Sequence, residues 1–183
     1  MPDTPVNIPL TSDVVLRSLT RDDGPAMAAA YERNRDHLEP WEPARPAAFY
    51  TAEYHARQIP VQILERSSGR SEPLVLERGG EIVGRVNLSD IVRGAFCNTH
   101  LGYWIDGRLA GRGLMTDAVD AACAHARDAL GLHRVQAATL LHNAASQQVL
   151  ERTGFERIGV APRYLRIAGS WQDHVLFQRI LHD

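Results

Sequence analysis

The segment Arg108-Leu109-Ala110-Gly111-Arg112-Gly113-Leu114 sets two guanidinium groups and two glycines between a predicted strand and a long predicted helix. Such a turn can cradle an anion. The first turn of a helix leaves backbone N–H groups unpaired and carries partial positive charge, and glycine lets a phosphate approach the main chain closely. Glycines in a strand-to-helix turn also serve geometry alone, so the neighbouring letters must decide. A Walker A loop needs Gly-Lys-Ser/Thr, and that tripeptide does not occur. A dinucleotide fingerprint calls for Gly or Ala three residues after the second glycine, where Thr116 stands.

Other chemistries find little support. His-Glu-x-x-His and Gly-x-Ser-x-Gly are both missing, which disfavours zinc and serine hydrolases. His125 and His133 are too isolated to suggest a metal site, and the two cysteines, Cys97 and Cys123, form no Cys-x-x-Cys pair. No metal is expected. Lys and Arg number 20 against 22 Asp and Glu, for a net charge of −2, so the basic surplus that phosphate neutralisation requires in a nucleic-acid binder is lacking. The opening residues 1–7 have no basic patch followed by an apolar stretch, and no apolar run is long enough to cross a bilayer. A cytoplasmic protein with no membrane role is the expectation, with reduced thiols.

The elements that must position the turn follow from periodicity and punctuation. The 183 residues, 44% hydrophobic, suffice for one core, so residues 1–183 are read as a single domain. Residues 14–19 form a short β-prone run, and Thr20 with Asp22 and Asp23 starts a helix expected to reach about Arg35. Pro40, Pro43 and Pro46 break a loop around Trp41. Residues 52–65 have helical composition, with Pro60 expected to end or kink the helix. Two apolar runs, 74–76 and 82–88, flank Arg78-Gly79-Gly80 as a hairpin. Residues 101–105 read as a strand, and 114–130 as a helix whose Leu114, Ala118, Ala121, Ala122 and Ala129 share a stripe closed by Gly131. A strand at 135–140, a helix from Asn143 to about Arg152 stopped by Gly154, and strands at 155–160 and 171–181 complete the order. The mixture argues for an α/β or α+β fold in which the strand–helix–strand unit over 101–140 supplies parallel pairing.

Arg108-x-x-Gly111-x-Gly113 resembles the pyrophosphate loop of the GCN5-related N-acetyltransferase (GNAT) superfamily, whose pattern is Arg/Gln-x-x-Gly-x-Gly/Ala after a strand. Asn143-Ala144-Ala145-Ser146, Val149-Leu150-Glu151 and Gly154-Phe155 resemble that superfamily's next helix and closing turn. His37-Leu38-Glu39-Pro40-Trp41, Gly102-Tyr103-Trp104-Ile105 and Gly169-Ser170-Trp171-Gln172-Asp173-His174 are similar to its RimJ/RimL branch of ribosomal-protein N-terminal acetyltransferases. The resemblance covers nearly the whole chain in order. It implies the GNAT fold, a mixed and mostly antiparallel central sheet with a splayed parallel strand pair, flanked by helices. It also implies acetyl-CoA as co-substrate and an amine acceptor, foremost the α-amino group of a ribosomal protein. Homologues of this type are often dimeric, which makes a homodimer an implied partner state.

Residue by residue, the resemblance implies that Ile105, Arg108, Gly111, Arg112, Gly113, Leu114 and Asn143 bind the coenzyme. The backbone N–H near Ile105 would polarise the thioester carbonyl. Many family members carry a Glu on the strand before the loop, and His100 holds the matching position, histidine being a residue type able to act as a base at neutral pH; a water relay would serve as well. Leu150 stands where many members have the Tyr that protonates the thiolate, so Ser146, one turn earlier, becomes the hydroxyl expected at the sulfur. Asn143 also suits a helix N-cap with no further role. Trp41 and Tyr164 are expected to border the acceptor, although a loop tryptophan also packs over helices. Met27 and Met115 read as core fillers. The alternatives are a small-molecule amine as acceptor, a bulkier donor such as succinyl-CoA, a dinucleotide oxidoreductase, and a non-catalytic acyl-CoA-binding regulator suggested by Leu150 and His100.

Overall fold

Gly79 and Gly80 take φ of 57° and 84°, left-handed values that glycine adopts without a Cβ clash, and they reverse the chain between the two apolar runs as the sequence indicates. In the computed structural model, which describes residues 4–183, those runs are strands β3 (Glu72–Arg78) and β4 (Glu81–Val92) of an eight-stranded sheet. The other strands are β1 (Asn7–Pro9), β2 (Val15–Ser18), β5 (Asn98–Ile105), β6 (Arg134–Leu140), β7 (Glu156–Ile167) and β8 (Ser170–Ile180). Their spatial order is β1-β2-β3-β4-β5-β6-β8-β7, antiparallel throughout except for β5 and β6. The mixed, mostly antiparallel sheet with one parallel pair is the architecture expected.

Helices α1 (Gly24–Arg33), α2 (Arg35–Leu38) and α3 (Ala52–Ser67) precede β3, while α4 (Leu114–Asp128) joins β5 to β6 and α5 (Ala144–Arg152) joins β6 to β7. One apolar layer unites Leu74, Leu76, Val86 and Leu101 with Leu114, Ala118, Ala122 and Ala126, where small side chains let α4 lie close on the sheet. The other face packs Val75, Ile82 and Trp104 against Met27, Tyr31, Phe49 and Ile59 from the α1–α3 side. Met27 and Met115 are buried in these layers, as fillers should be.

Several local expectations change. The first helix breaks at Asn34, whose φ of −105° and ψ of 13° end α1 before α2 begins. Pro60 neither ends nor visibly interrupts α3, which runs seven residues beyond it. Packing of buried His55 and Ile59 against the neighbouring layer compensates for the lost backbone hydrogen bond. Ala129 is exposed because α4 stops at Asp128, one residue short of completing the expected stripe, and Gly131 with φ 60° follows. β7 runs on to Ile167, past the expected end at residue 160, while β8 keeps its expected length shifted by one residue, and the two form one hairpin through Ala168 and Gly169, at φ 46° and 84°.

Candidate active site

The site exists because two adjacent strands obey different neighbours. β5 and β6 pair from Asn98↔Arg134 to Leu101↔Ala137 and then part. Beyond that point β6 keeps register with β8 up to Leu140↔His174, whereas β5 keeps register with β4 up to Gly84↔Ile105. The end of β5 is also tied toward α1 and α2. Asp106, 1% exposed, accepts hydrogen bonds from Arg33 Nε at 2.8 Å, Asn34 Nδ2 at 3.1 Å and Arg108 Nε at 3.0 Å. Burial alone would raise its pKa, but these donors outweigh it and hold the carboxyl well below the usual carboxylate range. His37 Nε2 lies 3.2 Å from Ile105 O.

Between the parted strands runs a cleft of about 640 Å³. Asp106 N donates to Val83 O at 2.8 Å, so the alternation of an antiparallel ladder turns the backbone polar groups of Ile105 and Tyr103 away from β4 and into the gap. At one end stands the glycine turn. Gly111 and Gly113 have φ of 75° and 83°, and Gly113 directly precedes α4. Among the described residues, the amides of residues 111–116 donate to no protein acceptor, the first such bond being Asp117 N to Gly113 O at 3.1 Å. These unpaired donors, with the positive end of α4, suit a phosphate group.

Of the residues singled out in the sequence, Ile105, Gly111, Arg112, Gly113, Leu114, Asn143, Ser146 and Trp41 line this cleft. Arg108 does not. Its guanidinium is engaged by Asp106 and by Glu81 at 3.0 Å, which buttresses the turn from behind. Arg112 makes no ion pair among the described residues and lines the cleft beside these amides. His100 also stands outside the lining, in the part of β5 still paired with β6 and opposite Gln136. Tyr164 is one step removed, its ring 5.7 Å from that of His174, which does line the cleft.

Asn143 caps α5: its Oδ1 accepts from Ser146 N at 3.1 Å. The cap leaves the amide nitrogen of Asn143 without a partner among the described residues, at the cleft wall. Ser146 itself meets a residue that the sequence reading did not single out. Tyr103, from the opposite wall, places its hydroxyl 2.8 Å from Ser146 Oγ and 3.0 Å from Ser146 O. Burial pushes the Tyr103 phenol up, so it stays protonated. A phenol has one proton. When it goes to Ser146 O, the serine hydroxyl donates to Tyr103; when it goes to Ser146 Oγ, the serine proton is free to turn into the cleft. Strand parity with Leu101 and Ile105 was the available signal for Tyr103, whereas its pairing with Ser146 had none.

At the other end, Trp41 is 37% exposed with its ring 5.5 Å from His142, and Glu42 beside it also lines the cleft. Burial raises the Glu42 carboxyl, and Arg45, 3.4 Å away, offsets only part of that. Among the described residues no group of acidic, histidine and cysteine side chains could hold a metal ion, and no helix is long and apolar enough to cross a membrane.

Residues 13–156 match a family model described as an acetyltransferase (GNAT) domain. The chain is 37% identical over 176 residues to the [ribosomal protein uS5]-alanine N-acetyltransferase of Escherichia coli, covering 93% of this chain and 91% of the relative. Among solved structures, the ribosomal-protein-S5-alanine acetyltransferase from Vibrio fischeri superposes with a TM-score of 0.94 at 33% identity, over 97% of this chain and 98% of that one. RimJ of Mycobacterium smegmatis in complex with CoA-disulfide gives 0.88 at 30% identity, over 97% and 86%.

Proposed function

The chain belongs to the GNAT acetyltransferase family and is an acetyl-CoA-dependent N-acetyltransferase, and we propose that its acceptor is the α-amino group of a ribosomal protein in the cytoplasm. The whole chain, 1–183, acts in this reading as one acyltransferase domain. The observation that carries it is the cleft itself, an opening within the sheet with unpaired helix amides at one end and an acidic, aromatic mouth at the other. Two of the relatives named above, from Escherichia coli and Vibrio fischeri, are ribosomal protein S5-alanine acetyltransferases, which makes a protein N-terminus the reading to test first.

The residues present fit the coenzyme. The amides of residues 111–116 and Arg112 hold the diphosphate, while the backbone groups of Tyr103 and the N–H of Ile105 pair with the pantetheine much as a sheet edge pairs with a peptide, the Ile105 carbonyl being met by His37. Acetyl-CoA supplies the thioester that the amine attacks. The N–H of Ile105 faces the gap and donates to the carbonyl oxygen as negative charge develops there. Tyr103 and Ser146, hydrogen-bonded to each other, hold a proton where the leaving sulfur departs. Trp41 closes the mouth and excludes water from the acceptor side. His100 has no role in this scheme because its place in β5 is outside the lining.

The test is free-thiol release from acetyl-CoA, followed by mass spectrometry of the product, with N-terminal peptides, lysine side-chain peptides and small amines in parallel. Selective acetylation of the peptide α-amino group is expected. Turnover with small amines alone would replace this acceptor, succinyl-CoA outpacing acetyl-CoA would replace the donor, and saturable CoA binding without thiol release would leave a regulator.

A further inference from the structure

Glu42 sits in the proline-rich loop after α2, where two cavities meet. One is the cleft between β5 and β6. The other, about 610 Å³, lies on the far side of the loop and is walled by Tyr31, Arg35, Pro43, Arg45 and Tyr50. Among the described residues only Leu38 and Glu42 line both, and Glu42 is the one carboxylate lining the cleft.

The carboxylate is incompletely satisfied. Its side chain is 20% exposed, and its partner Arg45 stands at 3.4 Å, longer than a strong charge-assisted hydrogen bond. Arg85 of β4 attracts the charge but directs its own guanidinium to Gln62 and Asn87. Arg35 and Glu39 share the second cavity, and His37 and His174 share the cleft. Burial prevails over the cations and raises the carboxyl, which improves it as a base. The loop backbone is meanwhile pinned, because Ala168 N donates to Glu42 O at 3.0 Å. A carboxylate of raised proton affinity, on a pinned stretch of backbone, thus stands at the junction of a coenzyme-sized cleft and a cavity roomy enough for a few residues of extended chain.

We propose that Glu42 receives the α-ammonium of the acceptor and takes one of its protons, while the residues that follow lie in the second cavity. The inference rests on the reading of the acceptor as a peptide N-terminus. In the balanced step, one ammonium proton passes to the Glu42 carboxylate, and the freed nitrogen lone pair forms the C–N bond as the C–S bond breaks. The second proton lost from nitrogen ends on the CoA sulfur, and Glu42 returns its proton to water.

The experiment compares wild type with Glu42→Gln on an Ala-initiated hexapeptide. Loss of a general base lowers kcat/KM by about 100-fold or more, with CoA affinity unchanged by calorimetry. The deficit shrinks as pH rises past the amine's own pKa of roughly 8, where neutral amine is supplied by solvent. Calorimetry without acetyl-CoA gives a second readout: wild type binds the free hexapeptide more tightly than its N-acetylated copy, and Glu42→Gln erases the difference. Activity within about threefold of wild type, a loss shared equally by CoA affinity, or an undiminished preference for the free amine would each overturn the proposal. A wild-type enzyme that acetylates small amines but no peptide removes the peptide reading alone, and the same variant then decides the role of Glu42 on the small amine.

Discussion

Gly113 offers a way to separate backbone strain from charge at the coenzyme loop. Its φ is 83° and its ψ is −14°, and an added Cβ would meet no atom within 4 Å. Gly113→Ala therefore meets no steric obstacle and costs only the left-handed backbone, about 1–2 kcal/mol. For a chain of this length that lowers Tm by roughly 2–8 °C, at about 2–4 °C per kcal/mol, with CoA affinity nearly unchanged. Gly113→Asp carries the same strain and adds a negative charge where the amides of residues 111–116 await a diphosphate. At about 5 Å and an effective dielectric constant of about 20, one unit repulsion is ~3 kcal/mol, or about 100-fold in Kd. Isothermal titration with CoA measures this, and repeating it at about 1 M salt, where the Debye length is roughly 3 Å, should recover much of the loss. Equal weakening by Ala and Asp, or an Asp variant that binds CoA like wild type, would refute the assignment of these amides to the diphosphate.

Three further outcomes are expected. Ser146→Ala and Tyr103→Phe should each lower kcat by about 10-fold or more with little change in the KM for acetyl-CoA, and the double variant should lose less than the product of the two because the hydroxyls act as a pair; independent effects in steady-state kinetics would deny the coupling. Asp106→Asn should destabilise the fold by roughly 3 kcal/mol at neutral pH. Because the folded-state pKa of Asp106 lies below its unfolded value, its contribution is present above about pH 4 and fades as pH falls through the folded value; chemical denaturation at pH 7 and pH 3 should show the variant's deficit narrowing in acid. His100→Gln should leave both limbs of the pH–rate profile in place, since the side chain is outside the cleft lining, and a lost acidic limb would return the role of base to His100.

Legibility followed the range of the forces involved. The hairpin at Gly79 and Gly80, the Gly113 entry to α4 and the Asn143 cap are set by atoms within a few residues of one another, so residue type alone announces them. Pro60 does not end its helix, for the complementary reason. A local rule ends a helix there, but packing of His55 and Ile59 in a layer drawn from α1 and the sheet keeps α3 continuous. Arg108 illustrates the same limit, because its place beside a phosphate loop does not disclose that Asp106 and Glu81 hold its guanidinium.

The order of residues alone therefore determined a glycine turn and a capped helix, whose conformations arise from short-range sterics and hydrogen bonding, and the acetyl-CoA donor followed from the family resemblance that those residues carry. Tertiary structure decided everything that depends on distance. The parting of β5 from β6 arises because each follows a different neighbouring strand. The meeting of Tyr103 with Ser146 joins residues 43 positions apart, and the depressed Asp106 carboxyl needs donors 72 and 73 positions away. The proton affinity of Glu42 comes from removal of water by the folded loop, and desolvation is a property of surroundings that no single stretch of sequence contains.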